Sequence, residues 1–382
     1  MVKLDQALDG ITVVSLEQAV AAPYCGLLLA DAGARVIKIE RPEGDFARGY
    51  DAGANGESTI FAWLNRGKQS VCLDLKDSAD LAFVKRMIAG ADILLSNLAP
   101  GALGRLGLDV AALRKDNAGL IACAISGYGT TGLAAKKKAY DFLVQGEVGL
   151  SAVTGTPDAP ARVGLPIADL STGLTAYAAI LRALIQRGRT GVGVDLNIAM
   201  FDVLADWMNM PLLTYRYGGG APARMGLKHT FIAPYGAFAC GDGGQVLLSV
   251  QSDCEFVVFC RDVLGQADLA DDARFATNPM RFENREVLDS IVEHAFAEKT
   301  AVQVIALLDT ARIANAQLND VSEVSTHPFL RNTETQFGGM SVSIADLPLG
   351  DSARSLRDAP KLGADTVALR DEFRANEKGP AD

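Results

Sequence analysis

Ile11-Thr12-Val13-Val14-Ser15-Leu16 reads as a buried strand, rich in β-branched residues and free of charge. A helix follows through Cys25-Gly26-Leu27-Leu28-Leu29-Ala30-Asp31 and stops at Gly33. Arg35-Val36-Ile37-Lys38-Ile39 then makes a second strand. Strand, helix and strand in so short a span predict a parallel pair with a helical crossover. The pattern repeats outward. Residues 78–88 read as a helix with Leu81, Val84 and Ile88 along one face, and 93–95 and 120–125 as further strands. This alternation predicts an α/β fold: an open, mostly parallel, doubly wound sheet covered on both faces.

Two longer helices are expected next, at 171–186 and, after a strand at 192–197, at 199–215, where Pro211 kinks or shortens the second. Tyr217-Gly218-Gly219-Gly220-Ala221-Pro222 is a breaker cluster. Beyond it, 236–250 reads as a β-hairpin turning at an Asp-Gly pair, and 253–263 and 285–309 as helices. The expected organisation is a large domain over 1–215, a smaller α+β domain over 216–325, and a return to the large domain over 326–382. The polar tail from about 365 is expected to be a helix with a frayed end.

Composition narrows the function. The chain has 382 residues, 49% of them hydrophobic, enough for a large core. It shows no apolar run of membrane-spanning length and no signal-peptide stretch in its first residues, which predicts a cytoplasmic protein with no membrane partner. A net charge of −10 argues against a nucleic-acid partner. The six cysteines form no Cys-x-x-Cys pair and are expected to be buried free thiols; three scattered histidines make a metal site improbable. The first strand runs into Glu17-Gln18-Ala19-Val20-Ala21-Ala22-Pro23, without the glycine fingerprint of dinucleotide or nucleotide binding. The small residues there still let a ligand approach the backbone.

Five segments, in order across the first half, resemble the family III CoA transferases. They are Leu8-Asp9-Gly10-Ile11 with Val13-Val14; Gly33 to Pro42; Asn65-Arg66-Gly67-Lys68 with Leu73-Asp74-Leu75-Lys76; Asn97 with Pro100-Gly101 and Arg105-Leu106-Gly107; and Ala168-Asp169 with Ser171-Thr172-Gly173. The resemblance implies an interlocked homodimer of ring-like chains, with CoA lying on a Rossmann-like domain. By motif position it implies CoA contacts from Ala19, Val20, Ala21, Arg41, Leu73, Asp74, Lys76, Asn97, Leu98, Arg105, Lys138 and Met200. Acyl-CoA would be a substrate, and no permanently bound cofactor is implied.

The resemblance makes Asp169 the nucleophile of an aspartyl-CoA thioester route. A helix N-terminus would favour its ionised form; on pattern alone, Asp169 could equally be a helix cap. Tyr140-Asp141 is either a surface turn with Asp141 capping the next helix or an auxiliary pair near the thioester. The related α-methylacyl-CoA racemases carry histidine where Tyr140 stands, and tyrosine is a poor base at neutral pH. A racemase and a non-catalytic acyl-CoA binder are the competing readings. Lys136-Lys137-Lys138 is a solvated loop or a phosphate-steering cluster. His229, near Arg224 and Lys228, either packs between domains or helps pair a distal substrate carboxylate. The stretch 15–23 resembles the branch that uses C4–C5 dicarboxylates, with succinyl-CoA as donor and itaconate or mesaconate as acceptor.

Overall fold

The computed structural model describes residues 6–348 and 358–375. Met1–Asp5 and the expected frayed end lie outside the described residues. Two compact units emerge. The first holds the described residues up to Leu150, Arg162–Met210 and those from Arg331 onward; the second holds Ser151–Ala161 and Pro211–Leu330.

The first unit is built on six strands, β1 (Thr12–Leu16), β2 (Arg35–Glu40), β3 (Gln69–Cys72), β4 (Ile93–Ser96), β5 (Ile121–Ser126) and β6 (Asp195–Ala199). They pair in the order β3-β2-β1-β4-β5-β6, every pair parallel. Alternate residues of a strand face opposite sides of the sheet, so each side needs its own cover. Val13, Ile93 and Cys123 pack with helices Ala21–Asp31 and Ile167–Thr190. Val14, Ile37 and Leu94 pack with helix Ser78–Ala89 and with Leu369 of helix Thr366–Ala375. The C-terminal segment also shields β3, at the sheet's edge: Ser70 N donates to Asp365 and Cys72 N to Thr366 Oγ1.

The sequence reading misses β3, whose Gln69-Ser70-Val71-Cys72 lacks the apolar density of its neighbours. The long helix begins at Ile167, before the expected 171, and passes through Gly188 to Thr190. The second helix divides into Met200–Trp207 and Asn209–Tyr217, so the break falls at Met208 rather than at Pro211.

The second unit has a three-stranded antiparallel sheet of Tyr235–Ala239, Gln245–Ser249 and Ala314–Gln317. The expected hairpin is present, closed by the longer loop 240–244. The helical stretch from 285 ends at Phe296 and restarts at Ala301, where the Thr300–Gln303 capping box satisfies the new helix's first N–H groups. Four cysteines are buried; Cys72 is half-buried and Cys254 exposed. No helix among the described residues is long and apolar enough to cross a membrane.

Candidate functional site

In a parallel sheet all carboxyl ends lie along one edge, and ligands gather where the strand order reverses. Here that switch lies between β1 and β4. Residues just after each of the six strands line two clefts that share Gln18. The larger, about 620 Å³, is lined by Ala19, Val20, Ala21, Asn97, Tyr140, Asp141, Asp169 and Met200 among others. The smaller takes Arg41, Leu73, Asp74, Lys76 and Leu98. Arg105, Lys138 and His229 line neither. Arg105 and Lys138 are exposed in the first unit.

His229 belongs to the second unit, where its ring stacks on Tyr235 and its Nδ1 accepts from Phe231 N. Burial and nearby Arg285 lower its pKa. The neighbouring cations are engaged locally. Arg224 donates to the carbonyls of Ala152, Thr156 and Pro157, and Lys228 pairs with Asp289 at 2.6 Å. In the lysine triplet, Lys137 pairs with Glu147 and lies over the Tyr128 ring.

The loop after β1 is held from below by buried charges. Glu17 accepts from Lys68 and lies 3.5 Å from Lys38, while Lys38 donates to Asp45 at 2.7 Å; all four are buried. Asp45 also accepts from Ala19 N, helping hold Ala19 at φ +62°, the left-handed region that costs an alanine about 1 kcal/mol. Asn97 completes the clamp. Its amide accepts from Gln18 N (2.9 Å) and donates to Gln18 O (2.7 Å), tying the two switch-point loops together. Four charges and one amide thereby fix the backbone at the mouth of both clefts.

Asp169 and Asp141 are brought together by a contact that sequence patterns do not show. Of the two readings of Asp141, the cap of its own helix does not hold: Tyr140 is that N-cap and Asp141 is the first helical residue of Asp141–Glu147. Its carboxylate reaches across instead: Oδ1 accepts from Ala168 N at 2.7 Å and weakly from Asp169 N at 3.4 Å, and Oδ2 accepts from Gln145 Nε2 at 2.7 Å. It serves as the cap that Pro166, at the start of the long helix, does not supply. Asp169 therefore sits inside the first turn and is not the cap.

The electrostatic expectation is also reversed. Burial first, and the charge of Asp141 second, push the Asp169 pKa up to about 7. Asp141 already occupies the positive end of the helix, so Asp169 gains little from it. Asp169 is a carboxylate whose charged form is poorly solvated, and such a group is a strong nucleophile or base toward an electrophile brought to it. Gly173, one turn further along, makes the approach possible. A Cβ there would lie 2.5 Å from Ala21 O, so only glycine lets the start of helix Ala21–Asp31, which follows the loop after β1, come this close to the Asp169 helix.

Several cleft residues carry no signal in the sequence. Phe46, Tyr50 and Trp63 form an aromatic wall. Tyr50 has a pKa raised to about 12 by burial and by Asp45 and Asp169, so it keeps its proton across the neutral range. Arg162 lines the same cleft from an irregular segment between an alanine and a valine.

Residues 8–366 match the sequence profile described as CoA-transferase family III. The chain is 36% identical over 376 residues to the acetyl-CoA:oxalate CoA-transferase of Acetobacter aceti, covering 97% of this chain and 96% of that one. It is 34% identical over 330 residues to the succinate–glutarate CoA-transferase of Agrobacterium fabrum, covering 84% and 82%. The crystal structure of a CAIB/BAIF family protein from Brucella suis superposes with a TM-score of 0.84 at 34% identity, covering 97% of this chain and all of that one. The parallel sheet with its ligand-ready carboxyl edge, the five motifs in order and these end-to-end likenesses lead to one conclusion: the chain is an enzyme of CoA-transferase family III.

Proposed function

We propose that this enzyme exchanges CoA between a short acyl-CoA and a small dicarboxylic acid through an aspartyl thioester on Asp169. One observation carries the proposal: Asp169 is a half-buried carboxylate, its pKa raised to about 7, in the larger cleft at the switch point of the sheet. The names of the relatives, acting on oxalate and on succinate and glutarate, support a dicarboxylic substrate. Succinyl-CoA is the proposed donor, and itaconate or mesaconate the proposed acceptor.

The Asp169 carboxylate attacks the thioester carbonyl. The C–S bond breaks, CoA leaves as thiolate, and a mixed anhydride remains. The thiolate then attacks the aspartyl carbonyl and expels the donor acid, leaving an enzyme–CoA thioester. The acceptor carboxylate attacks that thioester, and the released thiolate takes the acyl group from the second anhydride, restoring Asp169. Each step is an acyl transfer between neighbours, easier than direct exchange. Both intermediates hydrolyse if water enters, and the aromatic wall of Phe46, Tyr50 and Trp63 suits its exclusion. Asn97, Ala19, Val20, Ala21 and Met200 then frame the pantetheine end. Arg41 and Lys76 offer cations to CoA phosphates in the smaller cleft, with Leu73, Asp74 and Leu98 around them. Arg105 and Lys138 are further proposed phosphate contacts. The reading includes a cytoplasmic homodimer. Exposed Leu213, Tyr215 and Tyr217 support the assembly, since large apolar side chains close together on one helix need cover.

The test is turnover of succinyl-CoA against a panel of itaconate, mesaconate, glutarate, oxalate and acetate, read by mass spectrometry of the CoA products. At least one dicarboxylate should accept CoA, and Asp169→Ala should lose about three orders of magnitude or more. Wild-type-like turnover by Asp169→Ala would refute the role.

A further inference from the structure

The larger cleft has an unbalanced charge inventory. Its lining holds two acids, Asp141 and Asp169, and one cationic side chain, Arg162. Arg162 is exposed at the cleft, and among the described residues its guanidinium has no hydrogen bond and no ion pair, although most of the other described arginines are engaged. Its backbone is nonetheless firmly placed. Next to it, Val163 N donates to Gln145 Oε1 at 2.9 Å. The fully buried Gln145 donates in turn to Asp141 at 2.7 Å, and Asp141 accepts from Ala168 N at 2.7 Å. A chain of hydrogen bonds thus runs from the neighbour of Arg162 to the neighbour of Asp169. It sets where the arginine leaves the backbone relative to the carboxylate.

A monocarboxylic acyl group brings no charge into such a cleft once its carboxyl is a thioester. A dicarboxylic one brings its second, free carboxylate toward Asp141 and Asp169. Like charges a few ångströms apart in a cleft walled by protein repel more strongly than in bulk water. The site accepts that acid only where a cation offsets the repulsion. A guanidinium does so with geometry as well as charge, because its fork of N–H groups matches a carboxylate.

We infer that Arg162 is the specificity-determining residue that receives the distal carboxylate of the acyl group, making this cleft selective for dicarboxylic acyl-CoA. The inference rests on the proposed aspartyl-thioester reading of the same cleft. It also gives Arg162 the distal-carboxylate role that one of the two readings of the His229 neighbourhood would fill.

Succinyl-CoA and butyryl-CoA share their four-carbon acyl skeleton and differ in whether it ends in carboxylate or methyl. The experiment measures kcat/KM for both donors, with the best dicarboxylate acceptor of the panel above as common acceptor, in wild type, Arg162→Gln and Arg162→Lys. The ratio of succinyl to butyryl should fall about tenfold or more in Arg162→Gln, the loss of a charge-assisted pair, and recover in part in Arg162→Lys. In parallel, calorimetric Kd values for both thioesters are compared between Asp169→Asn and Asp169→Asn/Arg162→Gln, where turnover does not intervene. The same ratio should move there. An unchanged ratio overturns the inference, including the case where both donors weaken equally because Arg162 meets the CoA moiety. Absence of any transfer by wild type refutes the aspartyl-thioester reading, while the binding arm still decides Arg162.

Discussion

Asp169 owes its raised pKa to two separable causes, burial and the charge of Asp141, and each can be tested alone. If the ionised form is the nucleophile, kcat/KM should rise with pH through about 7. Asp141→Asn removes one charge while keeping an acceptor for Ala168 N, so the acid limb of the profile should move to lower pH. A limb that stays in place would mean that Asp141 does not act on Asp169. Stability provides a second readout. The folded pKa, about 7, lies above the ordinary 3.8 of the unfolded chain. The native state therefore holds the proton more tightly. The stability this gives is complete below about pH 4 and is lost as pH rises to about 7. Asp169→Asn, which never ionises, should match wild type near pH 4 and exceed it by a few kcal/mol at pH 8. A melting-temperature difference independent of pH would contradict the burial argument. None of this is legible in the sequence, because the Asp141–Ala168 bond spans 27 positions and joins two helix starts. Arg162 is equally silent there: one basic residue in an irregular segment looks like solvated surface.

At the scale of elements, the Asp169 motif gains a physical meaning. The glycine of Ala-Asp-x-x-x-Gly is a contact point between two helices. Alanine in place of a helical glycine normally stabilises by about 1 kcal/mol. Gly188, in the same helix with open space around its Cα, should behave so. Gly173→Ala should do the opposite. Its Cβ would lie 2.5 Å from Ala21 O and 3.1 Å from the Tyr24 ring, costing about 1–3 kcal/mol and displacing the loop after β1. Urea titrations of the two variants decide it; a stabilising Gly173→Ala would show that the two helices do not meet as described. Strands with dense apolar residues, β1, β2, β4 and β5, are readable from composition. The strand β3 is not, because its place comes from pairing with β2 and from cover by Asp365 and Thr366 nearly 300 positions away.

Across the whole molecule, what the sequence declares and what it hides divide by range. The alternation of strands and helices through β6, β3 apart, follows from local periodicity, and the winding of the sheet follows from that order. The C-terminal segment, which packs Leu369 and Phe373 against Phe83, has no local mark of where it docks. Net charge misleads in its own way: the chain carries −10, yet Arg41 and Lys76 line one cleft and Arg162 the other. The central claim is a covalent bond at one side chain. Wild-type protein is incubated with succinyl-CoA, trapped with hydroxylamine, digested, and sequenced by mass spectrometry. The account predicts a hydroxamate on Asp169 and on no other carboxylate, absent without the thioester and absent in Asp169→Asn. Robust CoA transfer with an unmodified Asp169, or with the adduct at another residue, would contradict it.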